Sequence, residues 1–177
     1  MSTEMKNLES HLVQYALYHR DNRNIRTHLF GVPLIVLSVI LMTYVPLFDL
    51  NTVSITVSSV LIGLVSVYYL YLSFKLGVLM LILLSLGYVL AMFIYTQFLN
   101  FDIAAGVFYL CGASVFVLGW VIQFIGHYYE GKKPAFVDDL VGLLIGPLFV
   151  LVEVLFMFGL MKKLEEHIVA QAGPYRN

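Results

Sequence analysis

The sequence predicts an all-α, polytopic membrane protein: about five hydrophobic helices in one bundle, preceded by an N-terminal amphipathic helix. Three observations carry that expectation. Hydrophobic residues make up 60% of the 177 and charged residues only 12%, against about 25% charged in an average soluble domain. Five apolar runs, at 31–48, 55–74, 76–98, 103–129 and 140–161, each approach the ~20 residues that cross ~30 Å of hydrocarbon as a helix. The basic residues are also distributed asymmetrically, as membrane insertion requires.

Each element follows from local pattern. Residues 5–19 form the predicted amphipathic helix. Leu8, Leu12 and Ala16 lie on one stripe, and His11, Tyr15 and His19, spaced by four, share a neighbouring face. The polar stretch Arg20-Asp21-Asn22-Arg23-Asn24 then reads as a turn, with Asn24 as cap of the next helix. The runs that follow are long and lack alternation, so strands are not expected. Between Arg26 and Lys75 the only charge is Asp49, and between Lys75 and Glu130 the only one is Asp102. The connections are therefore short. In the fifth run Gly146-Pro147 predicts a kink, because proline removes a backbone donor. The run either crosses, with Glu165 and Glu166 offsetting Lys162 and Lys163, or dips in and returns; a kinked crossing is the favoured reading. The chain reads as one integral membrane domain, 1–177. Residues 5–28 form the cytoplasmic helix and turn, 31–161 the bundle, and 162–177 a polar tail.

Counting crossings sets the topology. Lys6, Arg20, Arg23 and Arg26 precede the first run. Lys75 follows two crossings, and Lys132 and Lys133 follow four. All fall on one side, which the positive-inside rule assigns to the cytoplasm. The opposite loops carry only Asp49 and Asp102. The absence of an N-terminal secretory signal pattern suits a bacterial inner membrane or an endoplasmic reticulum.

Composition excludes several classes. A net charge of −1 offers no basic surface for nucleic acid. The single cysteine, Cys111, excludes a disulfide within the chain and a cysteine zinc site.

Three histidines are different. His19 and His28 precede the first run, and His127 ends the fourth. The crossing count brings all three to one face. A lone interfacial histidine is ordinarily an anchor, but three on one face suit a borderline divalent metal such as iron or zinc. His11 shares the His19 face and is a candidate fourth ligand. His167 lies in the polar tail and reads as solvated. Tyr18 and Asn24 flank the first two histidines, and Gln123 shares a helical face with His127. Gln123, Glu130 and Asp138 are available to orient ligands, and Lys132 to meet an acidic head group. Glu153, an acid inside the fifth run, must face the protein interior or a cavity.

At these positions the sequence resembles a known family. YHRDNRNIRTHLFGVP (18–33) resembles the Y-H-x4-N-x3-H-x2-G-x-P element of the membrane 2-hydroxy fatty acid dioxygenases. QFIGHYYEGKKPAFVDDLVGLLIGPLFVLVEVLF (123–156) is similar to the second element of that family, including its G-P-x-F-x3-E stretch. The resemblance runs from about Val13 to Phe156 and implies an Fe(2+) enzyme of α-oxidation. Such an enzyme uses O2 to convert a long-chain 2-hydroxy fatty acid into the acid one carbon shorter. It also implies that His19, His28 and His127 are the histidines that matter. Two rivals stand beside it: a zinc-dependent lipid hydrolase built on the same histidines, and a non-enzymatic transporter or structural protein centred on Glu153.

Overall fold

The computed structural model describes residues 3–51, 53–134 and 141–177. The architecture is a helical membrane bundle: α1 (Thr3–Ala16), α2 (Asn22–Met42), a hairpin of β1 (Pro46–Leu50) and β2 (Val53–Thr56), then α3 (Val57–Leu72), α4 (Phe74–Asn100), α5 (Ala105–Glu130), α6 (Gly142–Met157) and α7 (Lys162–Ala172). Three helices, α2, α4 and α5, are long and apolar enough to cross a membrane, and α6 with α7 makes a fourth if that bent pair is one broken span. The second run yields a helix of only 16 residues, or about 24 Å at 1.5 Å per residue, which is shorter than a typical span.

By its contacts the chain divides into Met1–Pro33 with Gly119–Asn177, and Leu34–Leu118. Within Leu34–Leu118, α3 and α4 form a hairpin that turns on the single extended residue Ser73. The strands were not expected. Pro46 has no N–H to continue a helix, and Asn51 takes a left-handed φ of 54° in the turn. Thr56 then caps α3, its hydroxyl accepting from the Ser59 amide at 3.1 Å. Tyr44, Tyr88, Tyr95 and Phe108 form a tilted aromatic cluster, and Tyr69 is buried. Tyr44 and Phe108 are buried, and Tyr88 and Tyr95 are half-buried. Leu64, Val67, Leu86, Phe93, Leu110 and Val117 are exposed. In water such a surface would be a liability; in lipid it is the solvated face.

Within Met1–Pro33 and Gly119–Asn177, α1 packs on α6 and α7. Leu8, Leu12 and Ala16 are buried, as are Leu148, Phe149 and Val152 on α6 and Leu164 and Ile168 on α7. Each large side chain so covered contributes about 1.5–3 kcal/mol. The polar stretch 162–177 is thus largely the packed helix α7, whose His167 lies 3.9 Å from Glu9 and stays 41% exposed. The break in the fifth run falls elsewhere than at Gly146-Pro147. Pro147 sits inside α6, and the chain bends by 116° between α6 and α7, where Gly159 and Met161 have φ of 72° and 56°.

The start of α2 also differs from expectation. Asp21, not Asn24, supplies the cap. Its Oδ1 accepts the Arg23 amide at 2.8 Å, and its carboxylate pairs with the Arg23 guanidinium at 2.7 Å. Those Arg23 hydrogen bonds hold the Asp21 carboxyl down, from an ordinary value of 3.8 to about 2. Lowering the folded-state value stabilises the fold above pH ~4, and the contribution is lost as pH falls toward ~2. Asp21→Ala is expected to cost about 1 kcal/mol at pH 7. Thermal melts of detergent-solubilised protein should show that gap and its closure near pH 2; a gap that is independent of pH would refute the ion-pair account.

Candidate metal centre

His28 lies one turn inside α2, and His127 lies in the last turn of α5. His19 follows α1 in a tight turn, with Tyr18 N–H donating to Tyr15 and His19 N–H to Ala16 at 3.1 and 3.0 Å. Two glycines let α2 and α5 approach here. A Cβ on Gly126 would strike Thr27 and stand 2.5 Å from Asn24 Oδ1, and one on Gly31 would stand 2.5 Å from Gln123 Nε2.

The three rings converge. Their candidate ligand nitrogens all lie within 4.8 Å of one another, and His19, His28 and His127 are only 0%, 2% and 6% exposed. Tyr15 stacks on His19 with centroids 4.2 Å apart and planes 1° from parallel, and Phe149 covers the same ring at 5.6 Å.

The hydrogen bonds fix the tautomers. His19 Nδ1 lies 2.7 Å from the Tyr15 carbonyl, and His28 Nδ1 lies 2.9 Å from the Asn24 carbonyl. A carbonyl oxygen only accepts, so each Nδ1 is the donor and each Nε2 presents a lone pair. Those two Nε2 atoms face each other at 3.0 Å. Two lone pairs at that distance repel unless a cation or a proton lies between them. A proton would charge a buried ring, and burial first, then the neighbouring His28, hold the His19 imidazole well below its ordinary 6.5. His127 Nδ1 is also buried without a hydrogen-bond partner, as are Gln123 Nε2 and Asn24 Oδ1. Three neutral imidazoles converging on one point, with orphaned polar atoms beside them, fit a borderline divalent metal.

Glu130 does something other than join the imidazoles. Its Oε2 accepts from the amides of Arg20 (3.0 Å) and Asp21 (2.8 Å) and from Asn24 Nδ2 (3.1 Å), while Oε1 pairs with Arg176. One buried carboxylate thus pins the turn that carries His19. Asn24 reaches both Glu130 and the Tyr18 carbonyl, the latter at 3.2 Å. Lys132 donates to the Leu17 carbonyl at 2.7 Å and lies 6.0 Å from the centre of the Tyr18 ring. Arg20 is buried, hydrogen-bonded to the Ala16 and His19 carbonyls, and lies 3.8 Å from Glu153, which also accepts from Tyr175 at 3.1 Å. Glu153 borders a cavity of about 290 Å³ with Arg26, Phe156 and Tyr175. His11 remains half-buried on α1 and does not join the three histidines. Asp138 lies outside the described residues.

Sequence reasoning missed Arg20, Tyr175 and Arg176 as parts of this region. Their contacts reach across 153, 22 and 46 positions, so no local spacing could reveal them. Tyr15 did carry a signal, the four-residue step to His19.

Comparison with known proteins accords with this geometry. Residues 5–158 match the family model described as Mpo1-like, 2-hydroxy-palmitic acid dioxygenase Mpo1-like. The chain belongs to this family. It is 33% identical over 168 residues to the 2-hydroxy-palmitic acid dioxygenase MPO1 of Saccharomyces cerevisiae (strain ATCC 204508 / S288c), covering 93% of this chain and 89% of that one. No solved structure matches.

Proposed function

We propose that this chain is an iron(II)-dependent dioxygenase that converts long-chain 2-hydroxy fatty acids into acids one carbon shorter, at the cytoplasmic edge of its membrane. The overall balance is hydroxy acid plus O2 to the shortened acid, carbon dioxide and water. The observation that carries this reading is the facing pair of deprotonated Nε2 atoms, completed by His127, in a chain of the Mpo1-like family.

His19, His28 and His127 would hold the metal. Bound there, iron(II) would supply the activation of dioxygen and a binding position for the substrate's 2-hydroxyl and carboxylate. The chain's own residues do the rest. The Tyr15 and Asn24 carbonyls fix the rings of His19 and His28 so that Nε2 points inward. Tyr15 and Phe149 cover His19 and exclude water. Gln123 Nε2, a buried donor without a partner, is suited to a substrate oxygen. Placing the site where the bundle meets water spares the acyl tail a transfer from lipid that costs ~0.8 kcal/mol per CH2.

The test is direct. Protein purified without oxygen, loaded with iron(II) and given a 2-hydroxy C16 or C18 acid with O2 should yield the C15 or C17 acid. Undiminished activity after iron chelation would overturn the iron assignment, and stoichiometric zinc with no shortened acid would overturn the dioxygenase reading in favour of a hydrolase.

A further inference from the structure

The last five residues lie outside the span that matches the family, 5–158, yet they contact the His19 turn at several points. Arg176 N–H donates to the Arg20 carbonyl at 2.7 Å, and the Arg176 carbonyl accepts the Asn22 amide at 2.8 Å, so the two segments pair as a short parallel bridge at Asp21. The Arg176 guanidinium pairs with Glu130 Oε1, on the carboxylate whose other oxygen holds the Arg20 and Asp21 amides. Arg20 Nη1 donates to the Gly173 carbonyl at 3.3 Å, and its guanidinium sits 4.7 Å from the Tyr175 ring centre. Asn22 Nδ2 reaches Asn177 at 2.6 Å.

We infer that residues 173–177 form a strap that holds the His19 turn in register, with Arg176 as a positioning residue acting through Glu130. The geometry supports a specific role for the charge. The Glu130 side chain is fully buried, while that of Arg176 is 55% exposed. Arg176 therefore contributes little to the core, but it is the cation paired with a carboxylate to which three other donors are bound. Without it, the buried Glu130 charge loses that partner, and the turn loses its anchor on one side. His19 sits directly before Arg20, so a loosened turn displaces the ring whose Nε2 must face His28.

The consequence for metal binding rests on the reading of the histidines as ligands; the hold on the turn does not. The experiment separates the two. Full-length wild type, Arg176→Ala, Arg176→Lys and, as control, Glu166→Ala at an exposed position of α7 would be compared in detergent by hydrogen–deuterium exchange over residues 17–24 and by titration with cobalt(II) as a visible probe. Arg176→Ala should raise exchange at residues 20–22 and weaken cobalt affinity about tenfold or more, with α4 exchange unchanged. Arg176→Lys should restore part of both, and Glu166→Ala should behave like wild type. Unchanged exchange at 20–22 in Arg176→Ala overturns the strap. Raised exchange with unchanged cobalt affinity overturns the positioning role. Raised exchange in a protein whose wild type takes up no cobalt overturns the metal reading while supporting the strap.

Discussion

Replacing His28 with alanine is expected to abolish metal uptake and reduce turnover well beyond the ~10–100-fold that changes in a ligand's outer partners cost. His28 contributes one of the two Nε2 lone pairs that meet at 3.0 Å, and two imidazoles hold a divalent ion far less well than three. The stability effect should be unlike that of an ordinary core truncation. Without metal, the wild-type pair is a repulsive contact in a buried site, the kind of local conflict that functional sites retain. Removing one partner relieves it, offsetting part of the cost of the cavity left by the ring. With metal, the wild type gains RT ln(1 + [L]/Kd), about 2.7 kcal/mol at a hundredfold excess over Kd, and the variant gains nothing. Melting curves with and without iron(II) or cobalt(II) should therefore separate the two proteins chiefly when metal is present. A His28→Ala protein that keeps stoichiometric metal and its turnover would end the three-histidine account.

Much of this could be read along the chain because membrane insertion is governed by local sums. Hydrophobic length and the placement of Arg and Lys act within a single span, so they identified the helices and brought His19, His28 and His127 to one face. Each of the five runs became an apolar helix, but length alone did not mark where each one ends. The first and second runs are interrupted by the β1–β2 hairpin, and the fifth bends after Met157 rather than at Pro147, because tertiary packing can carry a proline inside a helix. The amphipathic stripe of α1 was legible as well, since Leu8, Leu12 and Ala16 recur at helical spacing and are buried together.

What lay beyond the sequence is the network that orients the imidazoles. Glu130 could be named as a residue near His127, but its partners are backbone amides more than 100 positions away. A backbone donor leaves no trace in residue identity. The same holds for Arg20, whose guanidinium reads as one of several basic residues until the fold buries it against the Ala16 and His19 carbonyls. Asn24 was the expected cap and Asp21 serves instead, asparagine and aspartate capping about equally well. The choice was made by Glu130, which engages Asn24 through Nδ2 and leaves the Asp21 carboxylate free to take the Arg23 amide.

Glu130 is accordingly the second residue whose loss should be severe. Glu130→Ala leaves the amides of Arg20 and Asp21, the side-chain amide of Asn24 and the Arg176 guanidinium without their common acceptor. Arg176 is half-exposed and can turn to solvent, but the Arg20 and Asp21 amides are buried. A buried donor left unsatisfied costs about 1–3 kcal/mol, enough to lower the melting temperature of this chain by several degrees and to release the turn bearing His19. Glu130→Gln keeps an acceptor of the same shape in place of the carboxylate. With its carbonyl oxygen in the place of Oε2 it can still receive the Arg20 and Asp21 amides and Asn24 Nδ2, but its NH2 group would then face Arg176, donor against donor. The glutamine variant should therefore fall between wild type and alanine in melting temperature and in cobalt affinity, with the two measurements moving together. That joint movement distinguishes a clamp from a reacting group. A Glu130→Gln protein that melts and binds metal like wild type, yet turns over no hydroxy acid, would show that this carboxylate acts on the substrate instead of on the turn.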